Sequence, residues 1–342
     1  MSFESVIKNN CEKISAVSWW PGYAYHYTDV TNAVEILKHE CMFSRIEAGL
    51  LSVMVNDNAS RQVIDNTLYE TKAFVRFYYR PKTPTQYYNE GYKHPQIRFG
   101  EDKNANVPVP VFFAFRLEDV LRTKGIMFSE KTLAGAGSIL YTSEDDFDKL
   151  AFDRIYSDGP MQNVEDKMYR QAEIVIRDRF RLEWCRPLIY CRNQVERNTL
   201  LMMLKKENRD LYNIYRDKIR VHSQDMYYNN GLYVADVNLD KSTLAIQFSD
   251  TVARRRFIER WRLKNQRETK LELLNGELEI NWLRKARLVD QRRYEMEIDY
   301  ENPHILVYEA IDNKDADELE AILKIEGNLM CCISKCLTTE IK

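Results

Sequence analysis

Between Tyr169 and Ile176 the chain reads Tyr-Arg-Gln-Ala-Glu-Ile-Val-Ile, which sets a glutamate at the mouth of a β-branched run. Alternation of Ala172, Ile174 and Ile176 predicts a half-buried strand that sends Glu173 to its opposite face. A carboxylate held there has two chemical uses. It stabilises positive charge that builds in a transition state, or it accepts a proton from an attacking group. The bland alternative is solvation of a strand face. Three upstream segments give Glu173 company: Tyr25-His26-Tyr27-Thr28-Asp29-Val30-Thr31-Asn32, the run Asn56 to Arg61 (N-D-N-A-S-R), and the aromatic run from Phe77 through Arg80, Pro81, Lys82 and Pro84 to Gln86. Histidine, threonine and asparagine offer hydrogen bonds to hydroxyls and amides, arginine a bidentate donor pair, and tyrosines stacking faces. Other catalytic signatures are missing. No G-x-G-x-x-G follows a strand, since Gly135-Ala136-Gly137 lacks the third glycine, and there is no P-loop, G-x-S-x-G or H-E-x-x-H. Five histidines and seven scattered cysteines without C-x-x-C spacing give no reason to expect a metal centre.

Together, in this order and at these separations, the four segments resemble the DarT family of nucleic-acid-modifying ADP-ribosyltransferases, over roughly residues 20 to 240. The resemblance rests on an H-x-T signature before a helix (His26, Thr28), an arginine on the next helix (Arg61), an aromatic-Arg-Pro-x-x-P element (Tyr79 to Pro84) and an R-x-A-E strand (Arg170, Ala172, Glu173), with Asn32 matching the asparagine of the first helix. It implies an α+β fold, an ADP-ribosyltransferase-like split β-sheet around an NAD cleft, with a C-terminal α/β accessory region. The implied reaction moves ADP-ribose from NAD+ onto a base, chiefly in single-stranded DNA. Glu173 and Arg61 are then the expected catalytic pair, and His26, Tyr27, Thr28 and Asn32 the expected NAD+ contacts. NAD+ is a substrate in this reading, and no metal is needed. Breaking the nicotinamide–ribose bond builds an oxocarbenium-like centre, which a carboxylate aimed at the ribose hydroxyl stabilises. A guanidinium opposite it holds the pyrophosphate or orients the glutamate.

The target strand is expected along Tyr79, Arg80, Lys82, Gln86 and Tyr87. Stacking on such tyrosines contributes ~1 to 3 kcal/mol per base, Arg80 and Lys82 suit phosphates, and Gln86 suits a base edge. The competing reading is an aromatic structural corner stiffened by Pro81 and Pro84. Thymidine-directed members of the family usually carry a Pro-Arg-Ser-Pro-Met-Leu-like version of this element, whereas Arg80-Pro-Lys-Thr-Pro-Thr-Gln86 puts guanine ahead of thymine. The resemblance further implies a toxin of a bacterial toxin–antitoxin or phage-defence system, with a cognate antitoxin that reverses the mark. The nearest alternative modifies RNA bases. The alternative of another class is a non-catalytic nucleic-acid-binding module that has kept the fold.

The elements that must position these residues follow from periodicity and caps. Tyr23 to Tyr27 reads as a strand, and Asp29 or Thr31 caps a helix through Val34, Ile36 and Leu37. A helix is expected over Ser60 to Val75, a strand over Val107 to Phe115, and loops with short helices from Leu133 to Asp166. Downstream, Leu188 to Cys191 reads as a strand, Gln194 to Ile219 as a helix, Gly231 to Val237 as a strand and the segment from Thr251 as a basic helix. Leu271 to Ile280 and Tyr294 to Ile298 alternate like strands, and Asp315 to Ile325 returns to helical spacing.

A length of 342 residues leaves room for about two domains. We expect a DarT-like domain over 1–245 and an accessory region over 246–342. Apolar residues make up 44% and charged residues 30%, with a mean hydropathy of −0.52, as in a globular chain. No apolar run approaches the ~18 residues of a membrane helix, and Met1 to Asn10 lacks an apolar signal core, so a cytoplasmic location and no membrane partner are expected. Net charge is −2, but thirteen Lys/Arg against six Asp/Glu leave +7 between Thr251 and Arg293, and nine acids against four lysines leave −5 from Glu301 onward. The basic helix with Arg254, Arg255, Arg256, Arg260, Arg262, Lys264 and Arg267 suits a phosphate backbone, or is a solvated face neutralised by the acidic end. Residues 250–342 are also a possible contact for an antitoxin or chaperone.

Overall fold

The structure is a computed structural model and describes residues 1–14, 17–53, 69–98, 106–134, 138–161, 163–222, 225–240, 242–266, 269–309 and 315–337. Its first strand, β1 (Tyr23–Asp29), runs directly into helix α1 (Val30–His39). Asp29 makes that junction, because its Oδ1 accepts from the Thr31 amide at 3.0 Å and the Thr31 hydroxyl at 2.8 Å, satisfying donors that a helix start leaves unmet. Ala33, Val34 and Leu37 then bury one face of the helix.

Around β1 forms a seven-stranded sheet in the order β5-β6-β3-β1-β4-β8-β9. Its other members are β3 (Phe74–Tyr78), β4 (Pro110–Arg116), β5 (Met127–Phe128), β6 (Glu173–Arg177), β8 (Leu188–Cys191) and β9 (Ile219–Val221), and only the β8–β9 pair is parallel. Strand β1 pairs with β4 along its whole length, from Tyr23↔Arg116 to Asp29↔Pro110, but meets β3 only at Tyr25↔Tyr78. The sheet is split there. A two-stranded ribbon, β2 (Cys41–Phe43) with β7 (Arg179–Arg181), flanks it. Phe77, Phe115 and Phe180 meet edge to face in the main core beneath, which Phe113 shares.

The expected helix over 60–75 is corrected where the chain is described. Phe74–Tyr78 is a strand because Val75 and Phe77 alternate inward while Arg76 and Tyr78 take the other face. The expected helix over 194–219 breaks at Asn208, whose extended backbone and side chain cap a second helix, Arg209–Tyr215. Its first part is α3 (Gln194–Glu207), counting the short helix α2 (Pro84–Asn89) before it.

Beyond residue 230 lie two more sheets. Strands β10 (Val234–Leu239), β11 (Thr243–Phe248) and β14 (Leu306–Glu309) form one, in that order. The other runs β13-β12-β15-β16, from β12 (Leu274–Arg284), β13 (Arg287–Ile298), β15 (Glu318–Ile325) and β16 (Asn328–Cys336). Helical spacing over 315–325 is therefore overturned. Leu319, Ala321, Leu323 and Ile325 are all fully buried at period two. The basic helix is present as α4 (Val252–Asn265). Their shared core also takes in Tyr92, Ile97 and Val195 from the first part of the chain, and residue 245 falls inside β11.

Candidate active site

Glu173 opens β6 opposite Tyr78 of β3, with its side chain at 0% exposure. The expected solvent-facing strand side is thus covered. One carboxylate oxygen, Oε2, accepts from the Leu133 amide at 2.6 Å, and Oε1 accepts from Nη1 of Arg76 at 3.2 Å. Arg76 is fixed in turn by its Nη2, which donates to the Thr71 carbonyl at 3.0 Å. Ser129 holds the main chain: its amide and hydroxyl donate to the Glu173 carbonyl at 2.9 and 3.2 Å. A buried carboxylate met on both oxygens is held at a defined place, which an electrostatic catalyst needs. Its neighbour Tyr78 has a hydroxyl pushed up by burial and then by the Glu173 charge.

On β1 the expected NAD+ contacts divide by face. Tyr25 and Tyr27 turn toward the ring cluster of Phe112 and Tyr227, whereas His26 packs on Phe77 and Phe113 in the main core. By alternation Thr28 goes with His26, and it is buried. Nδ1 of His26 lies 3.0 Å from the Arg76 carbonyl. A carbonyl only accepts, so Nδ1 carries the proton, and the neutral ring offers Nε2 as an acceptor. Burial lowers the His26 pKa below 6.5, partly offset by that hydrogen bond, so the ring is neutral at neutral pH. His26, Arg76 and Glu173 therefore form one chain of contacts across β1, β3 and β6. Tyr27 has a buried hydroxyl with no hydrogen-bond partner among the described residues, near Glu90 and Arg192. Such a donor fits a polar substrate such as NAD+. Asn32 is half-buried on α1.

Arg61 lies outside the described residues, as does the pair Gly135 and Gly137. Sequence reasoning missed Arg76 and the Leu133 amide. The available signal for Arg76 was an arginine inside an otherwise aromatic and β-branched strand. For a main-chain amide there was none.

The aromatic-Arg-Pro-x-x-P element is placed differently from the expectation. Tyr79, Arg80 and Gln86 are buried, so they are not an open surface for a strand of nucleic acid. Arg80 bonds the Ser157 and Ile155 carbonyls and lies 4.6 Å over the Trp20 ring. Gln86 donates to Glu90 at 2.6 Å and to the Met226 carbonyl at 2.7 Å, while its own oxygen accepts from the Lys82 amide at 2.7 Å. The structural-corner reading holds for these three. Lys82 and Tyr87 are only half-buried, and Tyr87 packs its ring on Tyr88, Tyr228 and Phe257.

On α4 burial again removes an expected phosphate contact. Arg254 is fully buried against Ser249 and the Tyr300 ring, Arg255 pairs with Asp250, and Arg262 pairs with Glu301 at 2.7 Å. No cluster of three or more His, Cys, Asp or Glu able to hold a metal occurs among the described residues. No described helix is long and apolar enough to cross a membrane.

A split, mostly antiparallel sheet thus holds a fixed, buried glutamate at the mouth of one strand. A family model described as "ssDNA thymidine ADP-ribosyltransferase, DarT" matches residues 25–228. The chain belongs to that family, a group of ADP-ribosyltransferases. It is also similar to solved structures. "Thermus sp. 2.9 DarT in complex with ADP-ribosylated ssDNA" is 13% identical with a TM-score of 0.46, covering 61% of this chain and 97% of that one. The NAD+ complex of the same Thermus protein is 14% identical with a TM-score of 0.44, covering 61% and 98%. "Thermosipho africanus DarTG in complex with ADP-ribose" is 14% identical with a TM-score of 0.43, covering 54% and 48%. No curated protein matches the chain.

Proposed function

We propose that the protein transfers ADP-ribose from NAD+ onto a base of single-stranded DNA, guanine before thymine, with Glu173 as the catalytic carboxylate. The observation that carries this reading is the buried Glu173 held on both oxygens by Arg76 and the Leu133 amide. In the step, the C1′–nicotinamide bond breaks and neutral nicotinamide leaves with the bonding pair. The attacking base nitrogen bonds to C1′ and gives its proton to Glu173. Tyr27 and Nε2 of His26 offer polar contacts to the NAD+, with Thr28, Asn32 and Arg61 as further expected ones. Lys82 and Tyr87 face the target strand. Guanine is put first because Arg80-Pro-Lys-Thr-Pro-Thr-Gln86 departs from the thymidine-type element, although the family description names thymidine. The biological setting that goes with this activity is a cytoplasmic toxin paired with an antitoxin that removes the mark.

The test is the intact mass of short single-stranded oligonucleotides, each enriched in one base and made as DNA and as RNA, after incubation with the protein and NAD+. One added ADP-ribose on guanine-containing DNA is expected, and none with Glu173→Gln. Addition to thymine alone would reassign the base. Addition to RNA alone would overturn the DNA reading.

A further inference from the structure

We infer that single-stranded DNA leaving the catalytic cleft continues over α4, where Arg256, Arg260 and Lys264 hold its phosphates beside Tyr87 and Tyr88. This rests on the nucleic-acid reading above and assigns the C-terminal region a part in it. Contacts lead from the catalytic carboxylate to the helix without a gap. Leu133, whose amide holds Glu173, sits in the loop of Lys131 and Thr132, and the Thr132 amide donates to the Met168 carbonyl at 3.0 Å. Met168 belongs to the short helix Val164–Tyr169; Lys131 of the loop lies 4.7 Å over the helix's Tyr169 ring, and its exposed Lys167 lies 5.7 Å over the Tyr88 ring. Tyr88 meets Tyr87 at 5.3 Å, and Tyr87 meets Phe257 of α4 at 5.3 Å. Nη1 of Arg260 donates to the Tyr87 hydroxyl at 3.2 Å.

The charges on α4 sort into two sets. Arg254, Arg255 and Arg262 are buried or paired with acids. Arg256, Arg260 and Lys264 are exposed, make no ion pair among the described residues, and stand at i, i+4 spacing on one line beside the buried Phe257. Arg260 has a neutral hydroxyl for its partner, so its charge stays uncompensated. Steps of about 6 Å along that line suit successive phosphates of an extended strand. Glu259 is the exposed acid of the helix and belongs to the neighbouring ridge. Cations flanking aromatic faces in a row form the ordinary platform for a single strand, and a neutral or cationic partner has no such complement.

The test uses the full chain with Arg256→Gln, Arg260→Gln and Lys264→Gln combined, and single-stranded DNA of roughly 5 and roughly 20 nucleotides, spanning the usual site sizes. Binding is followed against salt, and transfer by mass. The unaltered protein is expected to bind the longer strand at least about tenfold more tightly. The triple variant loses that preference, and its salt slope on the longer strand falls by about 2, the loss of three single-strand phosphate contacts. Transfer to the short strand stays. Unchanged affinity and slope in the variant overturn the inference, as does a protein that modifies the short strand and shows no length preference. No transfer to either strand by the unaltered protein refutes the activity itself. Should the triple variant unfold, Arg256→Gln with Lys264→Gln, which removes no described contact, is read in the same way with a slope change of about 1.

Discussion

Glu173 is buried where a carboxylate is costly unless its oxygens are met, and Arg76 is the side chain that meets one of them. Arg76→Met leaves that carboxylate with the Leu133 amide alone, and should destabilise the fold by about 3 kcal/mol. Adding Glu173→Gln removes the stranded charge, so urea melts of the two single variants and the double variant should show a coupling above ~1 kcal/mol. Additive effects would mean that the pair is not linked. His26 gives a second residue-scale prediction. Burial depresses its folded pKa below 6.5, so between the two values the unfolded chain binds more protons. Stability from the neutral ring is present above 6.5 and lost as pH falls through the folded value. His94, also lowered by burial, acts in the same direction. Urea midpoints should therefore drop between roughly pH 7 and pH 5, and His26→Gln should flatten part of that drop.

At the scale of elements, the segment joining α2 to the C-terminal sheets depends on two glycines meeting face to face. Gly91 has φ +70°, and a Cβ on Gly231 would lie 2.3 Å from the Glu90 carbonyl oxygen. Neither backbone has room to withdraw, because the Tyr92 amide donates to the Leu232 carbonyl at 2.7 Å and the Leu232 amide returns the bond at 2.9 Å. Gly231→Ala should cost about 3 kcal/mol, measured by chemical denaturation, and a change below ~0.5 kcal/mol would show that the approach is not tight. The approach also places Glu90, which accepts from Gln86 at 2.6 Å, from the Tyr228 and Asn229 amides at 2.9 and 2.7 Å, and from Arg192 at 3.4 Å. The strands β1, β4 and β6 were legible in the sequence, as was a helix cap at Asp29 or Thr31, because those signals are local. Helical spacing over 315–325 misled, since a short apolar run fits both periods until neighbouring strands pair with it.

Across the whole molecule, two cores share a polar seam. Buried Lys93 donates to Asn230 at 2.6 and 2.8 Å and lies 4.1 Å over the Phe257 ring of α4, and its pKa is lowered well below 10.5 by burial. Arg192 bonds Glu196 at 3.0 Å and stacks 3.7 Å over Tyr233. A chain ending at residue 245 would cut β11 and uncover Tyr92, Val195 and Lys93. We expect it to aggregate, or to elute as an expanded species in size exclusion, rather than to retain transfer activity. The sequence by itself determined the strand that carries Glu173 and the β1–helix junction, because each is written in contiguous residues whose spacing matches a backbone period or a cap, and it pointed to the family through four short segments in a fixed order. Only the tertiary structure decided that Arg76 holds the carboxylate, that Arg80, Gln86 and Arg254 are interior, and that α4 adjoins Tyr87. A side chain's type is local, but its burial and its partner are set by which distant strands lie beside it.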